Sequence, residues 1–428
     1  MKKYILIILL VGTSYSLFSQ QTPADSQTQS ILIYNAHIHV GNGDVIENGS
    51  IGFKNGIIDF VGSKVNMDNY QKIINANGKH VYPGFIATNS TLGLAEVDAV
   101  RATRDEDEIG DFLPHIRAAI AYDAESKIIE SMRPNGVLVA QVTPRGGTIS
   151  GSSSIMQLDA WNWEDALIEN DEGIHLNWPN PYSRGRWWLG EDPSLKVNKN
   201  YSTSVKKVSA FFENAKVYSK NQIPVHLPYQ AMSGVFEGDI TLYLHAKDEK
   251  QIVDGITYLK KIGLTKIVLV GGNGAVDQLD FLKENNIPVI VSRPHRLPDN
   301  EDDDPKAAFK IASQLVNSGL LVSIDVSGSM ERMNTRNLPF YAGSFAAYGL
   351  DKEEALQLIT LNSAKILGIN DKLGSLEVGK HATLFLSKGD ALDMRTNIIE
   401  HAFISGRELS LETHQTELWK RYSKKFQK

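Results

Sequence analysis

The sequence predicts an α/β protein built around a parallel barrel, and three observations support this prediction. The stretch from Ile240 to Ala275 reads as strand, helix and strand, the alternation that places parallel strands side by side. Leu320 to Ile324 is a further, mostly apolar strand. The length of 428 residues exceeds an average domain, and α/β barrels often run beyond about 250 residues as one unit.

A β-rich segment precedes this region. Ile31 to Val40 and Ser50 to Ser63 have the composition of short strands, and Lys54-Asn55-Gly56 lies between two of them. Asn-Gly tolerates the positive φ angles of a tight hairpin turn. We therefore expect a small sheet before the barrel.

Composition excludes several classes of protein. Hydrophobic residues make up 42% and charged residues 22% of the chain, which is typical of globular enzymes. The net charge of -6 gives no reason to expect nucleic acid or an anionic membrane as a partner. The absence of cysteine excludes a disulfide framework, thiol chemistry and a lipid-anchored cysteine.

The first twenty residues have the pattern of a signal peptide. Lys2 and Lys3 precede an apolar run from Tyr4 to Val11, and Gly12 to Ser19 is rich in small residues. The run is too short to span a bilayer. We expect a signal at residues 1–20 and export to a periplasm or beyond, with no membrane anchor after cleavage. A buried N-terminal helix is the alternative.

The stretch VYPGFIATNST, Val81 to Thr91, opens the barrel region. It resembles the first barrel strand of the amidohydrolase superfamily, in particular its imidazolonepropionase-like branch, where P-G-[FL]-[IV]-D-x-H-x-H carries two metal-binding histidines. Pro83 to Ile86 match this pattern. Ala87 stands at the acidic position, and Asn89 and Thr91 stand at the two histidine positions. The frame is retained and the ligands are substituted.

The resemblance covers about residues 31–410 and implies an α/β fold with a (β/α)8 TIM-type barrel plus a small β-sandwich built from both chain ends. Gly374 to Leu384 resembles the family's return from barrel to sandwich. The implied order after the signal is a flexible leader at 21–30, the N-terminal half of the sandwich at 31–80, the barrel at 81–368, the C-terminal half of the sandwich at 369–410 and a C-terminal helical tail at 411–428.

Only two of the family's ligand positions keep a donor. His245-Ala246-Lys247 retains the leading histidine of the family's H-A-H segment, and Gly271 replaces the histidine of its E-H-G segment. Asp325 stands where relatives have an aspartate that touches metal and moves the proton of the attacking water. The resemblance thus implies that Asp325 is a catalytic residue. It also implies that His245 and Asp325 are ligands of a divalent metal, with zinc as the first choice. Two ligands fall short of the three that catalytic zinc takes, so a metal-free site is the alternative.

Two further histidine motifs are weighed against ordinary packing. His37-Ile38-His39 has the H-x-H spacing but belongs to the sandwich strand, and we expect plain sandwich or surface histidines there. His295 is a candidate third ligand or a loop residue.

Three loops have alternative interpretations. The charge cluster near Asp98 and Arg104 is either a solvated loop or a component of the barrel mouth. The Gly-rich loop 143–151 is either a turn or a cradle for an anionic substrate. The Trp-rich segment 161–189 is either a packed insertion or a lid over a substrate cleft.

Asp325 to Ser329 also matches the D-x-S-x-S motif of von Willebrand type A adhesion domains. That fold needs the motif on its first strand, so we disfavour an adhesion module, while Ser327 and Ser329 remain candidate polar groups at the barrel mouth.

Two hypotheses stay close to even, and the retention of both Asp325 and His245 favours the first. The first is a hydrolase acting on non-peptide or small-peptide C–N bonds through a reduced metal site, with Asp325 as general base and His245 as ligand or electrophile. The second is a catalytically silent barrel that binds a small ligand or pairs with an active homologous subunit. A small molecule is the expected partner in both, and the resemblance implies an oligomer.

Overall fold

The computed structural model describes residues 22–298, 303–328 and 330–427; the expected signal at 1–20 lies outside them. The strands are β1 Ile31–His39, β2 Val45–Lys54, β3 Ile57–Gly62, β4 Lys72–Asn75, β5 His80–Pro83, β6 Phe85–Ser90, β7 Val137–Val142, β8 Ile149–Gln157, β9 Leu167–Asn177, β10 Tyr182–Arg184, β11 Leu195–Val197, β12 Thr241–Ala246, β13 Ile267–Gly271, β14 Val289–Ser292, β15 Val322–Asp325, β16 Leu384–Ser387, β17 Ile399–Ile404 and β18 Arg407–Glu408. The α-helices are α1 Lys127–Glu130, α2 Trp163–Ala166, α3 Tyr201–Tyr218, α4 Leu227–Ala231, α5 Ser233–Glu237, α6 Glu249–Lys261, α7 Leu279–Glu284, α8 Ala307–Asn317, α9 Glu331–Asn334, α10 Leu338–Ala347, α11 Lys352–Gln357, α12 Leu361–Ile366 and α13 His414–Ser423. Within the described ranges, no helix has the length and apolarity needed to cross a membrane.

Eight strands close into a barrel in the order β12-β13-β14-β15-β6-β7-β8-β9, which confirms the expected α/β barrel. One strand differs from a uniform (β/α)8 pattern, because β8 pairs antiparallel with both β7 and β9. The cause is the Gly-rich connection between β7 and β8, residues 143–148. A parallel connection needs a dozen or more residues for its crossover, and this loop is too short.

The barrel interior is divided into an apolar half and a polar half. Ile86, Val139 and Tyr243 join an interior cluster that the segment after β15 closes with residues such as Ile366 and Leu373. The buried polar side chains lie towards the carboxyl ends of the parallel strands: Thr88, Asn89, Gln141, His175 and Asp325. This end of a barrel is the usual place for chemistry.

Both chain ends build the second sheet, whose order is β18-β17-β16-β5-β1-β2-β3. β16 pairs antiparallel with β5, and β5 pairs parallel with β1 so that His37 faces His80 in register. The apolar side of this sheet forms its own core, with Ile33, Phe53 and Phe403 fully buried.

The Trp-rich segment is neither a single insertion nor a single lid, because the barrel strand β9 runs through its middle. Trp178, just after β9, is 4% exposed and donates its indole N–H to Tyr201. Trp187 and Trp188 are 71% and 64% exposed between β10 and β11. The segment therefore combines a core element with an exposed hairpin.

Candidate active site at the barrel mouth

Asn89 holds the end of β6 in an unusual backbone conformation. Its φ is +52°, a left-handed geometry that asparagine tolerates better than most residues. The pairing of β6 with β7 shifts register between Ala87 and Ser90. As a result the Asn89 side chain donates from Nδ2 to Oδ1 of Asp325 at 2.9 Å.

Asp325 ends β15 and is 5% exposed. Ser327 donates to it twice, from its backbone N to Oδ1 at 2.8 Å and from Oγ to Oδ2 at 2.8 Å. Burial raises the pKa of Asp325, while the Ser327 hydrogen bonds and the nearby charge of Arg145 oppose that rise. The carboxylate is therefore held by fixed donors at the position where the family places its proton-transferring aspartate.

Arg145 enters the mouth from the Gly-rich loop. It donates to Asn89 from Nη1 to Oδ1 at 2.9 Å and from Nη2 to the carbonyl O at 2.8 Å. Its Nη2 also pairs with Glu331 Oε1 at 3.0 Å, and Thr91 donates to that same oxygen. A guanidinium thus contacts Asn89 directly and joins Thr91 through Glu331, so a fixed positive charge lies beside both substituted ligand positions.

His245 and His175 form a hydrogen-bonded pair on neighbouring strands. His245 Nε2 and His175 Nδ1 lie 2.8 Å apart, and His175 Nε2 lies 2.8 Å from Ser153 Oγ. Ser153 in turn donates to Glu172 Oε1 at 2.5 Å. Because that hydroxyl proton points to a carboxylate, His175 Nε2 must donate to Ser153 and His245 Nε2 must donate to His175. We call this chain of four residues the mouth relay.

Charge and burial act on both ends of the mouth relay. Burial, then the charges of Arg145 and Lys247, lower the pKa of His245 to about 3. Burial, then His245 and Arg145, lower the pKa of His175 well below its usual range. At the far end burial raises the pKa of Glu172 to about 7, against hydrogen bonds from Ser153, Gln141 and Tyr243. Both histidines are neutral at pH 7, and the group that titrates near neutrality is Glu172.

A cavity of about 440 Å³ opens over Arg145, within the range of small-ligand sites. Its lining is strongly charged: Thr91, Asp98, Arg104, Glu106, Asp107, Arg145, Gly328, Met330, Glu331 and Arg332. Asp98 pairs with Arg332, and Arg104 with Glu106 at 2.8 Å. The charge cluster after β6 therefore reaches the barrel mouth.

The sequence also marks three other positions, His295, Gly271 and Ser329, as candidate or substituted site positions. His295 contacts Ser344 at 3.0 Å and packs near Phe309 and Tyr341 instead of facing Asp325. Gly271 ends β13 with φ of +96°, a backbone in which any side chain is strained. Ser329 lies outside the described residues.

The donors at the mouth do not fit a tightly held zinc ion. His245 uses Nε2 inside the relay, Asp325 has both oxygens in hydrogen bonds, and the Arg145 cation lies beside them. Across the described residues, the His, Asp and Glu side chains gather into a potential three-ligand metal site only at His37, His39 and His80, in the second sheet. We therefore derive no chemical step through a metal at the mouth.

Sequence reasoning misses Arg145, His175 and Glu172 as members of this site. A signal exists for two of them, since Glu172 and His175 lie in a strand-like run, IENDEGIHLN, before a Pro-containing turn. Arg145 is visible only as a residue of the Gly-rich loop. Its role depends on the short β7–β8 connection, which folds the loop back over the mouth.

Comparison with known proteins defines the class. The chain matches an amidohydrolase from Thermotoga maritima with a TM-score of 0.78 at 22% identity, covering 89% of this chain and 99% of that one. The profile of the Amidohydrolase family matches residues 195–409. The chain belongs to the amidohydrolase family, a family of generally metal-dependent hydrolases that act on carbon–nitrogen bonds.

Two curated relatives are similar to the chain over very different lengths. A 5'-deoxyadenosine deaminase of Methanobrevibacter smithii is 23% identical over 370 residues, 79% of each chain. An imidazolonepropionase of Syntrophobacter fumaroxidans is 37% identical over 79 residues, 18% of this chain and 19% of that one. The likeness to the imidazolonepropionase branch is therefore confined to a short stretch of the chain.

Proposed function

We propose that the protein hydrolyses a C–N bond of a small substrate at the barrel mouth through a reduced site, in which Arg145 supplies the positive charge. The observation that carries this proposal is the position of Arg145, which contacts Asn89 and Glu331 and lowers the pKa of both relay histidines. A fixed cation in a partly dry site stabilises negative charge that develops during reaction.

Each residue has a stated role in this proposal. Asp325 accepts the proton of the attacking water as general base and returns it to the leaving nitrogen as the C–N bond breaks. Arg145 donates hydrogen bonds to the oxygen or nitrogen that gains electron density. His245 takes up the second proton of that water as the product forms and passes it along the mouth relay to Glu172, whose pKa of about 7 suits a proton acceptor at neutral pH.

The cavity and the relatives support a class of substrate to test. A volume of about 440 Å³ suits a molecule of nucleoside or dipeptide size, and the paired charges in the lining suit a polar one. A relative acting on 5'-deoxyadenosine supports testing aminopurine nucleosides beside dipeptides and cyclic ureides.

A silent ligand-binding barrel is the second candidate, and one observation favours it. Asn89 and Ser327 already satisfy both oxygens of Asp325 without substrate. A carboxylate locked in this way does not activate water. The cavity over Arg145 would then bind a ligand without attacking it, in a barrel that acts alone or pairs with an active homologous subunit.

The test is turnover of these three substrate classes before and after treatment with a chelator, for the wild type and Asp325→Asn. Turnover that survives the chelator and is lost in the variant supports the reduced site. Ligand binding without turnover supports the silent barrel. Turnover that vanishes with the chelator and returns with zinc contradicts a metal-free reduced site.

Export and assembly are also proposals. The charged start, apolar run and small-residue stretch of residues 1–20 support export. Cell fractionation of the full chain tests it, and a mature chain found in the cytoplasm would contradict it. The mass of the purified protein in solution, measured by light scattering, tests whether the chain forms an oligomer.

A further inference from the structure

Three histidines of the second sheet converge on one point. His37 and His39 alternate along β1 and so share a face, and β5 begins at His80, which pairs with His37 in register. The ring centroid of His37 lies 4.7 Å from those of both His39 and His80, and the His39 and His80 centroids are 5.2 Å apart. We call these residues the sandwich trio.

Each member of the sandwich trio offers a ring nitrogen to a common centre. One nitrogen from each residue lies within 4.8 Å of the other two, and His39 Nε2 is 2.9 Å from His80 Nδ1. Tetrahedral zinc with Zn–N bonds of about 2.0–2.1 Å needs nitrogens about 3.3 Å apart. The 2.9 Å contact between His39 and His80 is shorter than this spacing, and the 4.8 Å limit is longer, so binding requires the rings to rotate.

Carboxylates orient two of the three rings. Glu47 Oε2 lies 2.6 Å from His37 Nδ1, and Glu353 Oε1 lies 2.6 Å from His39 Nδ1. A carboxylate at Nδ1 fixes the proton there and leaves Nε2 free of hydrogen, the arrangement that accompanies histidines bound to metals. Tyr82 stacks on His39 at 4.2 Å and holds its plane.

The charge around the sandwich trio also favours a cation. The second oxygen of Glu353 is buried without a hydrogen-bond partner. The His37 side chain is 25% exposed and leaves an entry from solvent.

We propose that His37, His39 and His80 bind one divalent transition-metal ion, zinc in the first instance, with a fourth position open to water. Three imidazole donors suit zinc and its neighbours in the series and do not suit Mg²⁺ or Ca²⁺. Because Glu353 belongs to α11 of the barrel, the ion ties the second sheet to the barrel. This proposal is independent of turnover at the mouth.

The test is titration of the chelator-stripped full chain with Co²⁺ and Zn²⁺, read by the visible absorption of tetrahedral Co²⁺ and by displacement of a competing chelator. The wild type takes up one equivalent at this site. His80→Gln and His39→Gln lose it, while both variants keep the wild-type circular dichroism. His401→Gln keeps it, since His401 also pairs with a carboxylate, Glu408, but lies outside the sandwich trio.

A double variant separates this site from the mouth. If the sandwich trio binds the ion, the double variant His175→Gln/His245→Gln still binds one equivalent of metal ion with the same Co²⁺ spectrum. The proposal is overturned if the double variant no longer binds the metal ion while His80→Gln still binds it. It is also overturned if the wild type binds no ion. If His39→Gln does not fold, His80→Gln decides.

Discussion

Two clusters of facing histidines in the described part of the chain differ in what surrounds them. At the barrel mouth His245 and His175 lie 2.8 Å apart beside Arg145. In the second sheet His39 and His80 lie 2.9 Å apart beside Glu353 and near Glu47. The first pair belongs to a chain of hydrogen bonds that ends in the barrel. In the second pair Glu353 contacts the outer nitrogen of His39, and Glu47 contacts the neighbouring His37.

The difference predicts that the charges around a histidine cluster, and not its place in the family's fold, decide where a cation binds. A guanidinium beside two imidazoles repels a second cation, whereas carboxylates behind imidazoles raise their basicity and attract one. The family's ligand positions lie at the mouth, but the electrostatics that suit a metal lie in the second sheet.

The largest effect is expected at Asp325. Asp325→Asn removes the general base of the proposed hydrolysis and keeps the hydrogen bonds to Asn89 and Ser327, so turnover falls by about 10²–10⁴-fold. Zinc uptake by the sandwich trio stays unchanged. Steady-state kinetics and zinc titration on the same preparation check both, and turnover that survives in Asp325→Asn removes it from the catalytic role.

A smaller effect, on zinc affinity, is expected at Glu353, the carboxylate that contacts His39 of the sandwich trio. Glu353→Gln keeps the size of the side chain but removes the charge that orients His39, and it weakens zinc binding by about 10–100-fold. Glu408→Gln is the matched control, because it removes the carboxylate partner of His401. Equal zinc affinity in the two variants would show that Glu353 does not support a ligand.

Substitution of Arg145 tests whether its positive charge keeps zinc away from the barrel mouth. In a His80→Gln background, Arg145→Gln removes the positive charge beside His245 and retains a donor to Asn89, so zinc affinity at the mouth rises by about tenfold. Turnover falls in the same variant. Arg104→Gln is the control from the same cavity, and an unchanged zinc affinity in Arg145→Gln would mean that charge does not exclude the ion.

The smallest effect concerns stability in acid. The pKa of His245 is about 3 in the folded chain, below an unfolded value of about 6.5, so the unfolded chain binds more protons between these values. The contribution of His245 to stability is complete above about pH 6.5 and is lost as the pH falls towards 3. As the pH falls through this window, the free energy of unfolding of His245→Gln decreases by about 1–2 kcal/mol less than that of the wild type. Urea unfolding at several pH values measures it, and parallel curves would contradict it.

The fold can be predicted from the sequence better than the site. The strand–helix–strand run after Ile240 and the P-G-F-I frame at Pro83 locate the barrel because local pattern and chain order carry that information. The antiparallel direction of β8 is not predicted, since it depends on the length of one loop.

The site depends on contacts between distant segments. Arg145 and Asn89 are 56 positions apart and His37 and His80 are 43 apart, so no local pattern reveals that they meet. The expectation of plain sandwich histidines at His37-Ile38-His39 rests on their position in the sandwich strand before the barrel. Nothing near His80 in the sequence indicates that β5 brings a third ring to them.

Anomalous diffraction at the zinc edge, from crystals of the full chain soaked in zinc, tests the central comparison most directly. We expect one peak between His37, His39 and His80 and none between His245 and Asp325. A two-metal centre at the barrel mouth, with no peak at the sandwich trio, would contradict both the reduced site and the assignment of the metal to the second sheet.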